Sequence, residues 1–71
     1  MAHIDEGVVK VIEVIGVSET SWEDAVDKAV AKSSETLSGI TGVEVVSFTA
    51  RVKDGGVTTY NATCKVAFVV K

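Results

Sequence analysis

The chain of 71 residues contains a single stretch with helical periodicity. Between Trp22 and Leu37 the apolar or small residues Trp22, Ala25, Val26, Ala29, Val30, Ser33 and Leu37 recur at steps of three and four. Asp24, Lys28, Lys32 and Glu35 take the other side. This spacing predicts one helix with one apolar stripe. Ser18, Thr20 and Ser21 supply hydroxyls for the unpaired N–H groups of a first turn; Thr20 with Glu23 fits a capping box, and Ser21 with Asp24 is a looser version of it. Gly39 is the expected stop, because glycine readily takes the left-handed conformation that closes a helix. The result is a helix of about five turns. Its apolar stripe has to be buried, and the rest of the chain reads as strand.

Val8 to Val17, V-V-K-V-I-E-V-I-G-V, is dense in β-branched residues with Lys10 and Glu13 on alternating faces. Such a strand is expected to be partly covered on both sides, with its charges at a rim or in inter-strand pairs. Gly16 reads as the exit turn towards the helix. After the helix, Val43 to Lys53 alternates: Val46, Phe48, Ala50 and Val52 on one face, Ser47, Thr49, Arg51 and Lys53 on the other. Asp54-Gly55-Gly56 is a hairpin signal, since these residues tolerate the positive φ of tight turns. Thr58 to Lys71 continues the alternation, with Tyr60, Ala62, Cys64, Val66, Phe68 and Val70 opposed to Asn61, Thr63, Lys65, Ala67 and Val69. A right-handed crossover makes the first and second strands parallel, and the hairpin makes the third antiparallel to the second. The expected fold is α+β, in the order β-α-β-β: a three-stranded antiparallel sheet curled around one helix, third strand central. It forms one domain over residues 1–71, with a loose N-terminus over 1–7.

Composition constrains function mainly by exclusion. Below roughly 70–80 residues a single core supplies only about 3–5 kcal/mol, so such a chain usually needs a staple. One cysteine, Cys64, excludes an internal disulfide, and no Cys/His cluster offers a zinc site. With 46% hydrophobic residues, self-assembly into a homo-oligomer is the remaining staple. The formal charge is −3 with scattered basic residues, which disfavours nucleic acid as a partner. No apolar run reaches the roughly 20 residues that span a bilayer, so no membrane partner is expected, and a cytoplasmic setting follows by default. The lone His3 has no nucleophile or second ligand near it. No Ser/His/Asp or Cys/His set, phosphate-cradling loop or metalloprotease motif is present, so no enzymatic activity is expected. Cys64, on an apolar face, reads as a small core hydrophobe, and Trp22 as a core or interface anchor.

Two features stay open at this level. Ser47, Thr49, Arg51, Asn61, Thr63 and Lys65 line the second sheet face, which is either a solvated surface or a wet subunit interface or cavity wall able to meet a small ligand. Glu44 intrudes on the apolar lane of its strand, either as a charge projecting beyond the helix or as a carboxylate at a subunit junction.

The run V-K-V-I-E-V-I-G-V-S-E-T-S-W-E-D-A-V from Val9 to Val26, then V-E-V-V-S-F from Val43, D-G-G-V-T-T-Y, and K-V-A-F near the end resemble the dodecins, over about Val8 to Lys71. The resemblance implies a hollow homododecamer that stores or sequesters small molecules, with riboflavin or FMN as cofactor bound in pairs near two-fold axes. In flavin-binding members a tryptophan two residues before a glutamate stacks on the ring. Here Glu44 matches the glutamate and Gly42 stands in the tryptophan's place, while Asn61 takes the position of a ring-binding glutamine. The implied ligand site therefore comprises Gly42, Glu44, Val45 and Asn61, with the backbone near Gly42 and Val45 contributing. The alternative implied by the same resemblance is a flavin-free shell that binds metal ions such as calcium, or another small ligand, through carboxylates at subunit junctions, with no particular metal ligands identified.

Overall fold

The computed structural model describes residues 7–70; the expected loose N-terminus, apart from Gly7, and His3 lie outside the described residues. The elements run β1 (Val8–Ser18), α1 (Trp22–Ser34), β2 (Ile40–Lys53) and β3 (Gly56–Val70). The sheet order is β1-β3-β2. Both neighbours pair antiparallel to β3, so the expected topology stands.

The helix begins where a side chain can cap it. Ser21 is extended, and its Oγ accepts from the Asp24 N–H at 3.0 Å. Of the two capping pairs, Ser21 with Asp24 is the one used, and only in its first half, since the Asp24 carboxylate turns to Ser18 and not back to the Ser21 N–H. The buried Ser18 hydroxyl donates to Asp24 Oδ2 at 2.6 Å and accepts from the Thr20 N–H at 2.9 Å. Glu23 and Asp24 in the first turn and Lys32 in the last complement the helix dipole.

At its other end the helix stops at Ser34, three residues before Leu37. Ser34 Oγ donates to the Val30 carbonyl at 2.8 Å and Thr36 Oγ1 to the Ser33 carbonyl at 3.4 Å. Such side-chain bonds compete with helix continuation, and the last N–H groups tighten onto Lys32 and Ser33. Gly39, at φ 75°, turns the freed segment into β2, which starts at Ile40.

Gly16 lies inside β1 and makes no turn. A Cβ there would overlap the Ala25 carbonyl oxygen and approach the Ala29 Cβ to 3.1 Å. The helix therefore sits on the sheet at the distance a missing side chain allows. The core is correspondingly thin: Ala25 and Ala29 of α1 meet Ala62 and Cys64 of β3, with Val14, Val26 and Val43 packed around them. Burial raises the Cys64 thiol pKa, as expected of a core hydrophobe.

The β2 strand carries two extra residues relative to β3. The pairing jumps between Ile40 and Gly42 and again between Val45 and Ser47, leaving Thr41 and Val46 as bulges. A third irregularity, between Arg51 and Val52, lies near the turn, where Asp54 (φ 53°) and Gly55 (φ 80°) form the two-residue hairpin loop. The Cα radius of gyration is 13.8 Å and the molecule measures 50 × 20 × 14 Å; a compact chain of this length has a radius near 11 Å. The long hairpin accounts for the excess.

Candidate functional site

Because directly opposite residues of an antiparallel pair share a face, the register sorts every strand residue. Opposite the helix, Ser47, Thr49 and Arg51 of β2 stand across from Thr63, Asn61 and Thr59 of β3. The same outer face continues on β1 as Val9, Val11, Glu13, Ile15 and Val17. Val11, Ile15 and Val17 are more than half exposed. The expected cover on both sides of β1 is therefore absent within one chain, because the single helix reaches only one of them.

The bulge at Val46 also corrects the lane of Glu44. With one residue inserted, Glu44 leaves the lane of Phe48 and pairs with Lys65, which on its other side pairs with Glu13. Two carboxylates thus flank one ammonium in a row across three strands, at about 4.8 Å per strand. None of the three joins an ion pair among the described residues. Glu13, Glu44 and Lys65 line a cavity of about 650 Å³ together with Val9, Val11, Gly42, Val43 and Ala67. Its lining is aliphatic apart from Glu13, Glu44 and Lys65, and Gly42 contributes no side chain to it.

The structure brings Gly42 and Glu44 to this cavity and leaves the other two anticipated residues away from it. Asn61 lies on the same outer face, but it pairs with Val17 and Thr49 while Gly42 pairs with Ala67. Six residues along β3 separate them, roughly 20 Å. Val45 pairs with Cys64 on the helix side, so only its backbone is available to the outer face. Thr41 Oγ1, beside Gly42, is buried without a hydrogen-bond partner. Val9, Val11 and Ala67 were not expected at a site, and Glu13 was expected only as a rim or inter-strand charge, the position its pairing with Lys65 gives it; alternation with the helix-side residues of their strands was the available signal.

The chain's four aromatic residues all lie on the helix side. Trp22 meets Tyr60 edge-on at 4.9 Å and Phe48 at 5.9 Å, and Phe68 pairs with Lys10 and Ile40. The outer face thus holds no ring to stack on a ligand. Nor does any group of three or more His, Cys, Asp or Glu side chains among the described residues come together as a metal site. No helix among them is long and apolar enough to cross a membrane.

The dodecin family model matches residues 8–71. This chain belongs to the dodecin family. It is 34% identical over 64 residues to the calcium dodecin of Mycobacterium tuberculosis, covering 90% of each chain. The dodecin of Streptomyces coelicolor superposes with a TM-score of 0.91 at 28% identity, over 96% of this chain and 97% of that one. A calcium-chelating dodecin of Mycobacterium tuberculosis, described as having a novel calcium-binding site, gives 0.80 at 33% identity, over 92% and 93% of the two chains. Dodecins are generally small ligand-binding proteins rather than enzymes.

Proposed function

We propose that this dodecin is a non-enzymatic storage protein that assembles into a hollow homododecamer and sequesters a flavin, riboflavin or FMN, on the outer face of its sheet. The observation that carries the reading is the cavity of about 650 Å³ bounded by Gly42 and Glu44, at the positions where the family resemblance implies a ring site. Val9, Val11 and Ala67 offer an aliphatic floor for a flat ring, and Glu44 and the Gly42 backbone offer acceptors and a donor at its edge. Asn61, distant within one chain, reaches a ring from a second copy across a two-fold contact between outer faces. Ring stacking of this kind contributes about 1–3 kcal/mol, so without an aromatic at 42 the flavin is held weakly.

The second reading, a calcium-binding shell, is favoured by the relative named for calcium. Calcium takes six to eight oxygen ligands, and one chain offers Glu13 and Glu44 around a lysine. Such a site would need carboxylates from neighbouring copies.

Light scattering in line with flavin absorbance, before and after adding FMN, tests the proposal. Twelve subunits with bound flavin support it; twelve without flavin leave the shell and remove the ligand; a monomer removes both. Gly42 is not among the left-handed glycines 7, 39 and 55, so its backbone accepts a side chain. Gly42→Trp is expected to tighten FMN binding about tenfold or more, read by quenching of flavin fluorescence. No gain would mean that the cavity does not receive the ring.

A further inference from the structure

The outer-face cavity carries a charge that its own wall does not balance. Lys65 of β3 stands between Glu13 of β1 and Glu44 of β2, directly opposite each in the register. All three side chains are exposed and line the cavity, so each acts on whatever enters it. Two carboxylates against one ammonium leave one net negative charge. Lys65 is the one cation among the described residues of the lining. Lys10 pairs with Phe68 and belongs to the helix side. Arg51 stands opposite Thr59, six residues along β3 from Lys65 and roughly 20 Å away.

A phosphate monoester close to neutral pH carries nearly two negative charges, and proteins hold such a group with arginine or lysine or with the N–H groups of a helix start. The described lining offers neither in surplus. Lys65 already faces two carboxylates, and α1 packs on the other side of the sheet. A phosphate brought to this cavity therefore meets repulsion, whereas an uncharged ligand making the same aliphatic contacts meets none. The ribityl chain of FMN is short enough to keep its phosphate within the range of the row in dilute salt, about 10 Å near 0.1 M.

We infer that the Glu13–Lys65–Glu44 row sets the specificity of this cavity and selects an uncharged ligand over a phosphorylated one, so that riboflavin is held more tightly than FMN. The inference rests on the flavin reading above and chooses within it. Specificity of this kind is a difference of affinities, produced here by a repulsive element rather than by an added contact. Glu13 and Lys65 act on the charge of the ligand's tail, from the two strands whose pairing forms most of the lining. Because the three side chains are exposed, salt screens the effect.

The test titrates riboflavin and FMN separately into the full-length protein and reads each dissociation constant from quenching of flavin fluorescence. In dilute salt riboflavin is expected to bind about tenfold more tightly than FMN, and the ratio to shrink towards one near 1 M salt, where the screening length is about 3 Å. Glu13→Gln removes one negative charge and is expected to bring the ratio in dilute salt close to one. Lys65→Gln removes the positive charge and is expected to widen it beyond tenfold. Both replace a charged side chain by the same neutral amide, so opposite movements report charge rather than shape. Should either variant fail to fold, the salt series on the wild-type protein still decides. FMN binding as tightly as riboflavin in dilute salt, or a ratio indifferent to salt, overturns the inference and leaves the storage reading standing. Failure of both flavins to bind overturns the flavin reading and the inference with it.

Discussion

Gly16 sets the distance between helix and sheet. Any side chain there meets the Ala25 carbonyl, which belongs to backbone and cannot swing aside. Gly16→Ala is therefore expected to destabilise by about 1–3 kcal/mol or more, seen as a lower denaturation midpoint with little change in its slope. Asp24 makes the other sensitive contact. The Ser18 hydroxyl, and after it Lys28 at 3.1 Å, lower its carboxyl pKa. A depressed carboxylate stabilises the fold above the unfolded value near pH 4 and loses that contribution as pH falls through the folded value. Stability is thus expected to decline on acidification below about pH 4, and Asp24→Asn to flatten that decline in acid-unfolding curves. Both residues are legible in the sequence only as types. Gly16 reads as a turn because no periodicity reveals how close the helix comes, and Asp24 reads as a cap because Ser18 looks like one of three equivalent hydroxyls.

The elements themselves were more legible, since a helix period and a strand period differ and each is sustained here for ten residues or more. What escaped was every place where one residue changes the count. The helix pattern runs on to Leu37, yet Ser34 and Thr36 bond back to the main chain and end it earlier. Val46 looks like one more β-branched strand residue, yet as a bulge it carries Glu44 to the other face. The candidate site was legible as positions 42 and 44 and not as a cavity, because its floor comes from β1 and β3 through pairing. Between elements, the Trp22 indole ties the helix start to the hairpin. Trp22→Phe keeps most of the ring and loses the donor, so a cost of about 1 kcal/mol is expected in chemical denaturation followed by circular dichroism.

At the scale of the whole molecule, the buried apolar set is small: Ala25, Ala29, Ala62, Cys64, Val66 and Ala67. Among the described residues, eleven large apolar side chains from Val8 to Val70 remain exposed in the single chain, more than an isolated domain of this size leaves uncovered without consequence. If copies cover one another, folding and association are one equilibrium. The melting temperature is then expected to rise with protein concentration, measured by scanning calorimetry over a hundredfold dilution series; a constant value would mean that the chain stands alone.

The sheet separates two tasks by its sides. Residues that hold the helix point one way, while Gly42, Glu44, Glu13 and Lys65 point the other and touch almost nothing of the core. A substitution on the outer side can therefore alter what is bound while leaving the scaffold intact. What the outer side holds is thus separable from what holds the molecule together, and position 42, where glycine contributes no side chain to the cavity, is a place where the two can be varied independently.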